Sequence, residues 1–268
     1  MLESTRIRSW MTDEYFFNYM RKRLNADSHD KQLIQALRHA DHFFFDVDGT
    51  IVFTKPTYFR QKVRETLKAL KDKYPEKIPS IHLSTIHTAA DIESLAKQIF
   101  PDDPGEFFTE FNKHDKVNDR LAATDVFPDA AFFLATLDKL GKKSYLVSHL
   151  QEKFLKRITL LIYKKVRKYV PYNPSIVFKQ IVSPYHTRFA AGSSFKPHPG
   201  MFTYLLQEHD LDPKACAAIG DSMHDVHAAL AASIGVPAYL TRGKKHAEGD
   251  NYLSVKNLVE LFSLMRTA

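Results

Sequence analysis

A chain of 268 residues, 44% hydrophobic and 26% charged, is long enough to bury an α/β core beside a smaller second unit, which excludes a disordered or fibrous protein. Its single cysteine, Cys216, excludes an intrachain disulfide and a cysteine-rich zinc site and points to a reducing compartment. A net charge of +7 favours anionic partners, phosphorylated metabolites and nucleic acid alike.

The first residues include Glu3, Asp13 and Glu14, and they carry neither a signal-peptide core nor an acid-poor transit peptide. No apolar run approaches the roughly 20 residues of a membrane span, so a cytoplasmic protein with no membrane contact is expected. A helix is predicted from Thr12, with Phe16, Phe17, Met20 and Leu24 at helical spacing and Arg21, Lys22 and Arg23 in its last turn. Trp10 reads as its packing anchor. A second helix is predicted after Ser28, with Leu33, Leu37 and Ala40 on one face. Residues 1–40 therefore read as an N-terminal helical extension.

At His42 the pattern changes. Phe43, Phe44 and Phe45 make a run too short for a lone helix and apolar enough for a strand buried on both faces, as in parallel sheets. The run halts at Asp46-Val47-Asp48-Gly49-Thr50, which sets two carboxylates at the carboxyl end of the strand, where open α/β sheets bind ligands. Phe59, Val63, Leu67, Leu70 and Tyr74 then form a helical apolar stripe opposite Arg60, Arg64, Lys68 and Lys71. Further helices are predicted after Thr88, with Ile92, Leu95, Ala96 and Ile99, and around Phe107 to Phe111. Residues 55–118 are thus expected to form an inserted helical cap, with residues 41–54 and 119–268 as the core.

The core resumes with a helix opened by Phe127-Pro128-Asp129 and closed by Gly141, and a strand from Ser144 to Val147. Short strands are predicted at Gln180 to Val182, Ala215 to Ile219 and Val236 to Leu240. Strands alternating with helices specify a doubly wound, Rossmann-like parallel sheet. Lys153 to Lys168 interleaves seven basic residues with Leu155, Leu160, Leu161, Ile162 and Tyr163. One amphipathic helix with a solvated basic face is the simpler reading than a nucleic-acid surface.

Four stretches end strands or open helices in an order that lets them share a site with Asp46: Ser148-His149, Lys196-Pro197-His198-Pro199, Gly220-Asp221-Ser222-Met223-His224-Asp225 and Thr241-Arg242-Gly243. Each has a bland reading alone. Asp48-Gly49 is a common turn pair, and Asp221 could cap the helix that begins at Ser222. Taken together, the chain resembles the haloacid dehalogenase-like hydrolase superfamily, and within it the phosphoglycolate phosphatase-like branch. The resemblance implies that Asp46 is a nucleophile forming an aspartyl-phosphate and that Asp48 is the general acid and base. It implies Thr50, Ser148, His149 and Lys196 as phosphate-binding residues, and Asp46, Asp48 (through its carbonyl) and Asp221 as metal ligands, with Asp225 holding Lys196 or a metal-bound water.

Gathering these acids in one cleft would cost about 4 kcal/mol per close pair at an effective dielectric of about 20, which Lys196 cannot offset together with an incoming phosphate. Mg²⁺, a hard cation with oxygen ligands, answers that need. The expected activity is a phosphatase of a small phosphorylated metabolite. A phosphomutase with the same nucleophile, or an RNA- or partner-binding protein on this scaffold, is the alternative. In this chain Phe53-Thr54-Lys55 stands where the branch often has an Asp-Ser pair, and His149 where an asparagine is common, so the substrate stays open.

Overall fold

The computed structural model describes residues 28–78, 81–170, 178–185, 195–244 and 251–266, so the helix expected from Thr12 lies outside the described residues. The chain divides into two compact units, residues 1–51 with 126–268, and residues 52–125.

The first unit is built on a parallel sheet of β1 (His42–Phe45), β4 (Lys143–Val147), β5 (Gln180–Val182), β6 (Cys216–Gly220), β7 (Val236–Leu240) and β8 (Leu253–Val255). Their order is β5-β4-β1-β6-β7-β8, which puts the Phe43 to Phe45 run in the interior of the sheet. Alternation along the strand explains three consecutive buried rings. Phe43 and Phe45 both meet the edge of Phe133 on α6 (Pro128–Lys139), whereas Phe44 faces Tyr145 and Phe202, the latter on α8 (Gly200–Glu208). Helices thus cover both faces of the strand that carries Asp46.

The predicted helix α1 (Ser28–His39) belongs to this unit. It packs on α10 (Leu258–Arg266), buries Leu33, Ile34 and Leu37, and holds Leu264 O through Arg38 Nε at 3.2 Å. The basic segment forms α7 (Glu152–Val166), which buries Phe154, Leu155, Ile158, Ile162 and Val166 and leaves Lys153, Lys156, Arg157, Lys164, Arg167 and Lys168 exposed. Among the described residues no helix is long and apolar enough to cross a membrane.

The second unit holds α2 (Pro56–Lys73), α3 (Ala89–Ile99), α4 (Pro104–His114) and α5 (Val117–Ala122) around Phe59, Val63, Leu70, Phe107 and Phe111. Thr88 caps α3 in a reciprocal pair with Asp91. Inside this unit Asp115 accepts from the Tyr58 hydroxyl at 2.6 Å and pairs with Arg120 at 3.1 Å, so two buried charges satisfy each other. The unit is wider than the expected 55–118 segment because β2 (Val52–Thr54) and β3 (Thr124–Val126) pair into a ribbon, tied by the Thr54 and Thr124 hydroxyls at 2.9 Å. Each of these strands has three residues and pairs with a segment about 70 residues away, so the ribbon left no pattern of its own in the sequence.

Candidate active site

Asp46 leaves the carboxyl end of β1, its backbone N–H still donating to Ile219 O across the neighbouring strand at 2.9 Å. Lys196 reaches it from 150 residues away: the ammonium donates to Asp46 Oδ1 at 2.7 Å, to Val147 O at 2.9 Å and to Asp225 Oδ1 at 2.5 Å. With its side chain only 3% exposed and three acceptors around it, Lys196 is a fixed charge.

Asp221 follows β6, and Asp225 lies in the first turn of α9 (Met223–Ala231). Asp221 is not the helix cap. Ser222 takes that place, its hydroxyl accepting from Asp225 N, while Asp225 Oδ2 accepts from Ser222 N at 3.1 Å and from Ser222 Oγ at 2.5 Å. Asp225 therefore spends one oxygen on the cap and the other on Lys196. Asp221 is left to face the site.

Two glycines make this closeness possible. Gly49 has φ +88°, where only glycine is unstrained, and a Cβ there would overlap the Asp221 carboxylate. A Cβ on Gly220 would likewise overlap Asp225.

Carboxylate oxygens of Asp46, Asp221 and Asp225 all lie within 4.8 Å of one another. This hard-oxygen donor set suits a divalent cation. Asp225 joins it geometrically although its oxygens are already engaged by Lys196 and Ser222. The Asp48 carboxylate is not among the three.

Electrostatics point the same way. Burial, with Asp225 and Asp221 close by, pushes the Asp46 carboxyl up to about 8, and Lys196 only partly offsets it. Burial likewise raises Asp221, against the opposing pull of Lys244. Burial also acts against an ionised Asp225, but Lys196 and Ser222 outweigh it and hold that carboxyl below its ordinary range. Burial thus disfavours the ionised forms of Asp46 and Asp221, a cost that a divalent ion held by them would offset.

Thr50 is wholly buried, and its Oγ1 has no hydrogen-bond partner. Ser148, 1% exposed, accepts from Leu150 N at 3.2 Å. His149 acts here through its side chain: Nε2 accepts from the backbone N–H of Lys196 at 2.8 Å, and the ring lies against Phe195, so the side chain positions the lysine turn. His224 and His227 are exposed and outside the acidic group.

Sequence reasoning missed the contacts of two residues. Lys244 Nζ sits 2.8 Å from Asp221 Oδ2. Arg242, stacked 3.7 Å over the Phe127 ring, pairs with Asp129 at 2.6 Å and donates to Thr50 O at 2.7 Å, which ties the loop after β7 to the Asp46 loop. The Thr241-Arg242-Gly243 stretch was visible in the sequence, but not what it holds.

The haloacid dehalogenase-like hydrolase family model matches residues 40–233. A stretch of 71 residues is 38% identical to D-glycero-α-D-manno-heptose-1,7-bisphosphate 7-phosphatase of Campylobacter jejuni, covering 26% of this chain and 40% of that protein. The chain thus spans well under half of that curated relative. Among solved structures, a haloacid dehalogenase-like family hydrolase from Streptococcus pneumoniae superposes with a TM-score of 0.60 at 18% identity, over 85% of this chain and 99% of the other. A phosphatase of the same family from Thermococcus onnurineus gives 0.58 at 19% identity, over 84% and 98%. At such identities these two structures speak for the fold alone.

Proposed function

Because the chain belongs to the haloacid dehalogenase-like hydrolases, we propose that it is a Mg²⁺-dependent phosphatase of a small phosphorylated metabolite, working through an aspartyl-phosphate on Asp46. The supporting observation is the convergence of three separate stretches of sequence: Lys196 donates to Asp46 and Asp225, and carboxylate oxygens of Asp46, Asp221 and Asp225 lie within 4.8 Å of one another.

Asp46 Oδ attacks phosphorus as the bond to the leaving oxygen breaks. A carboxylate needs no separate base for this. Asp48 donates its proton to the departing alcohol. The resulting Asp48 carboxylate then takes a proton from water, which attacks the phosphoryl group, releases inorganic phosphate and restores Asp46. Lys196 fixes the Asp46 carboxylate and offsets charge on the transferring group, while the Thr50 and Ser148 hydroxyls donate to its oxygens. His149 and Asp225 hold Lys196 in register. Mg²⁺ bound by Asp46, Asp221 and the Asp48 carbonyl supplies charge neutralisation at the phosphate.

The test is phosphate release from a panel of phosphomonoesters that includes sugar monophosphates and bisphosphates, with Mg²⁺ and with chelator. Release that requires Mg²⁺ is expected for at least one class. Release unaffected by exhaustive chelation contradicts the metal assignment, and conversion of a sugar phosphate to its isomer without phosphate release identifies a mutase instead.

A further inference from the structure

The metal site comes with a resident competitor. Lys244 donates to Asp221 twice, to the carboxylate Oδ2 at 2.8 Å and to the main-chain oxygen at 3.0 Å, so its ammonium lies against the same carboxylate that completes the acidic group. Asp221 has little freedom to serve two cations. Gly49 abuts it so closely that even a methyl group there would overlap both oxygens.

Two lysines thus reach the acidic group, and they differ in kind. Lys196 is 3% exposed and pinned by three acceptors, whereas the Lys244 side chain is 44% exposed beside an Asp221 that is 15% exposed. A half-exposed ammonium on a four-carbon stem can withdraw to water at small cost. Its backbone, by contrast, is tethered. Thr241 N donates to Val255 O at 2.8 Å, Lys244 N donates to Thr241 O at 2.8 Å, and Arg242 is anchored on Asp129 and Thr50 O. The loop therefore delivers the ammonium to Asp221.

Resting on the metal reading above, we propose that Lys244 is a built-in counter-ion for Asp221, which balances the acidic group in the metal-free protein and must be displaced before a divalent cation binds. An ordinary surface ion pair would have no such consequence. Here the acid is one the cation needs, so the contact to Oδ2 competes with the metal for that carboxylate, and a monovalent cation beside a divalent one is repelled.

The test is calorimetric titration of Mg²⁺ into the full chain, without substrate and at one pH and ionic strength, comparing wild type with Lys244→Met and Lys244→Arg. Lys244→Met is expected to bind Mg²⁺ about tenfold more tightly, from loss of both the competing pair and the repulsion. Lys244→Arg should keep an affinity near that of wild type. A second readout is thermal unfolding: metal-free Lys244→Met should melt below wild type, and saturating Mg²⁺ should close the gap. Lys244→Gln serves if the methionine variant fails to fold. Equal or weaker Mg²⁺ binding by the neutral variant, while wild type binds, overturns the role of Lys244 and leaves the metal reading standing. No binding by any of the proteins overturns both.

Discussion

Asp46→Asn is expected to lower phosphate release by at least about a thousandfold, roughly 4 kcal/mol of barrier, while the protein still folds. The amide keeps the shape of the carboxylate and loses its nucleophilicity. Folding survives because burial and two acidic neighbours push the Asp46 carboxyl up, so the fold favours its neutral form, which an amide resembles. A group whose ionised form the fold disfavours contributes no net stability at neutral pH, so its neutral isostere removes a cost. Lys196 keeps Asp225 and Val147 O as acceptors in the variant. Melting at or above the wild-type temperature together with lost turnover is the expected pair. Turnover within tenfold of wild type would take Asp46 out of the chemistry.

Lys196→Met carries the largest expected cost in stability. It strands Asp46 and Asp225, two carboxylates already low in exposure, without the ammonium that lies 2.7 Å from one and 2.5 Å from the other. Breaking a buried pair by removing one partner typically costs about 3–5 kcal/mol, because the other charge stays desolvated. A denaturant-melt comparison measures it directly. The double variant Lys196→Met with Asp46→Asn should lose about as much as the single one, since Asp46 protonates once the ammonium is gone and Asp225 is the charge left stranded. Activity should fall about a hundredfold or more in the single variant, as for loss of a charged donor to the transferring group. A stable, active Lys196→Met protein would mean that the ion pairs contribute nothing to either.

The core was legible where local pattern and chemistry agree. Phe43 to Phe45 announced an interior strand, and Asp46 to Thr50 and Gly220 to Asp225 announced strand ends with acids, because each couples an apolar run to a break that only a turn or a helix start explains. The stripe from Phe59 to Tyr74 announced α2 for the same reason. What stayed hidden was pairing. The ribbon of β2 and β3 rests on hydrogen bonds between segments about 70 residues apart, with too few residues for a period of two to emerge. β8 was hidden likewise, as three residues of the C-terminal stretch.

Within the site, spacing named the residue types but could not say which oxygen each would meet. Ser222 rather than Asp221 as helix cap was decidable only from geometry, since both are good caps and adjacent. The same holds for His149 accepting from Lys196 N and for Lys244 reaching back to Asp221 from one residue beyond the recognisable stretch.

The measurement closest to the central claim is chemical trapping of the phosphoryl-enzyme. The protein is mixed with Mg²⁺ and a turned-over phosphomonoester, quenched in acid within the first turnovers, and its peptides are mapped by mass. A phosphoryl group on the peptide carrying Asp46, labile to hydroxylamine as an acyl phosphate should be, and absent from Asp46→Asn, is the predicted result. Brisk phosphate release with no label on that peptide, or with the label on another side chain, would contradict the account.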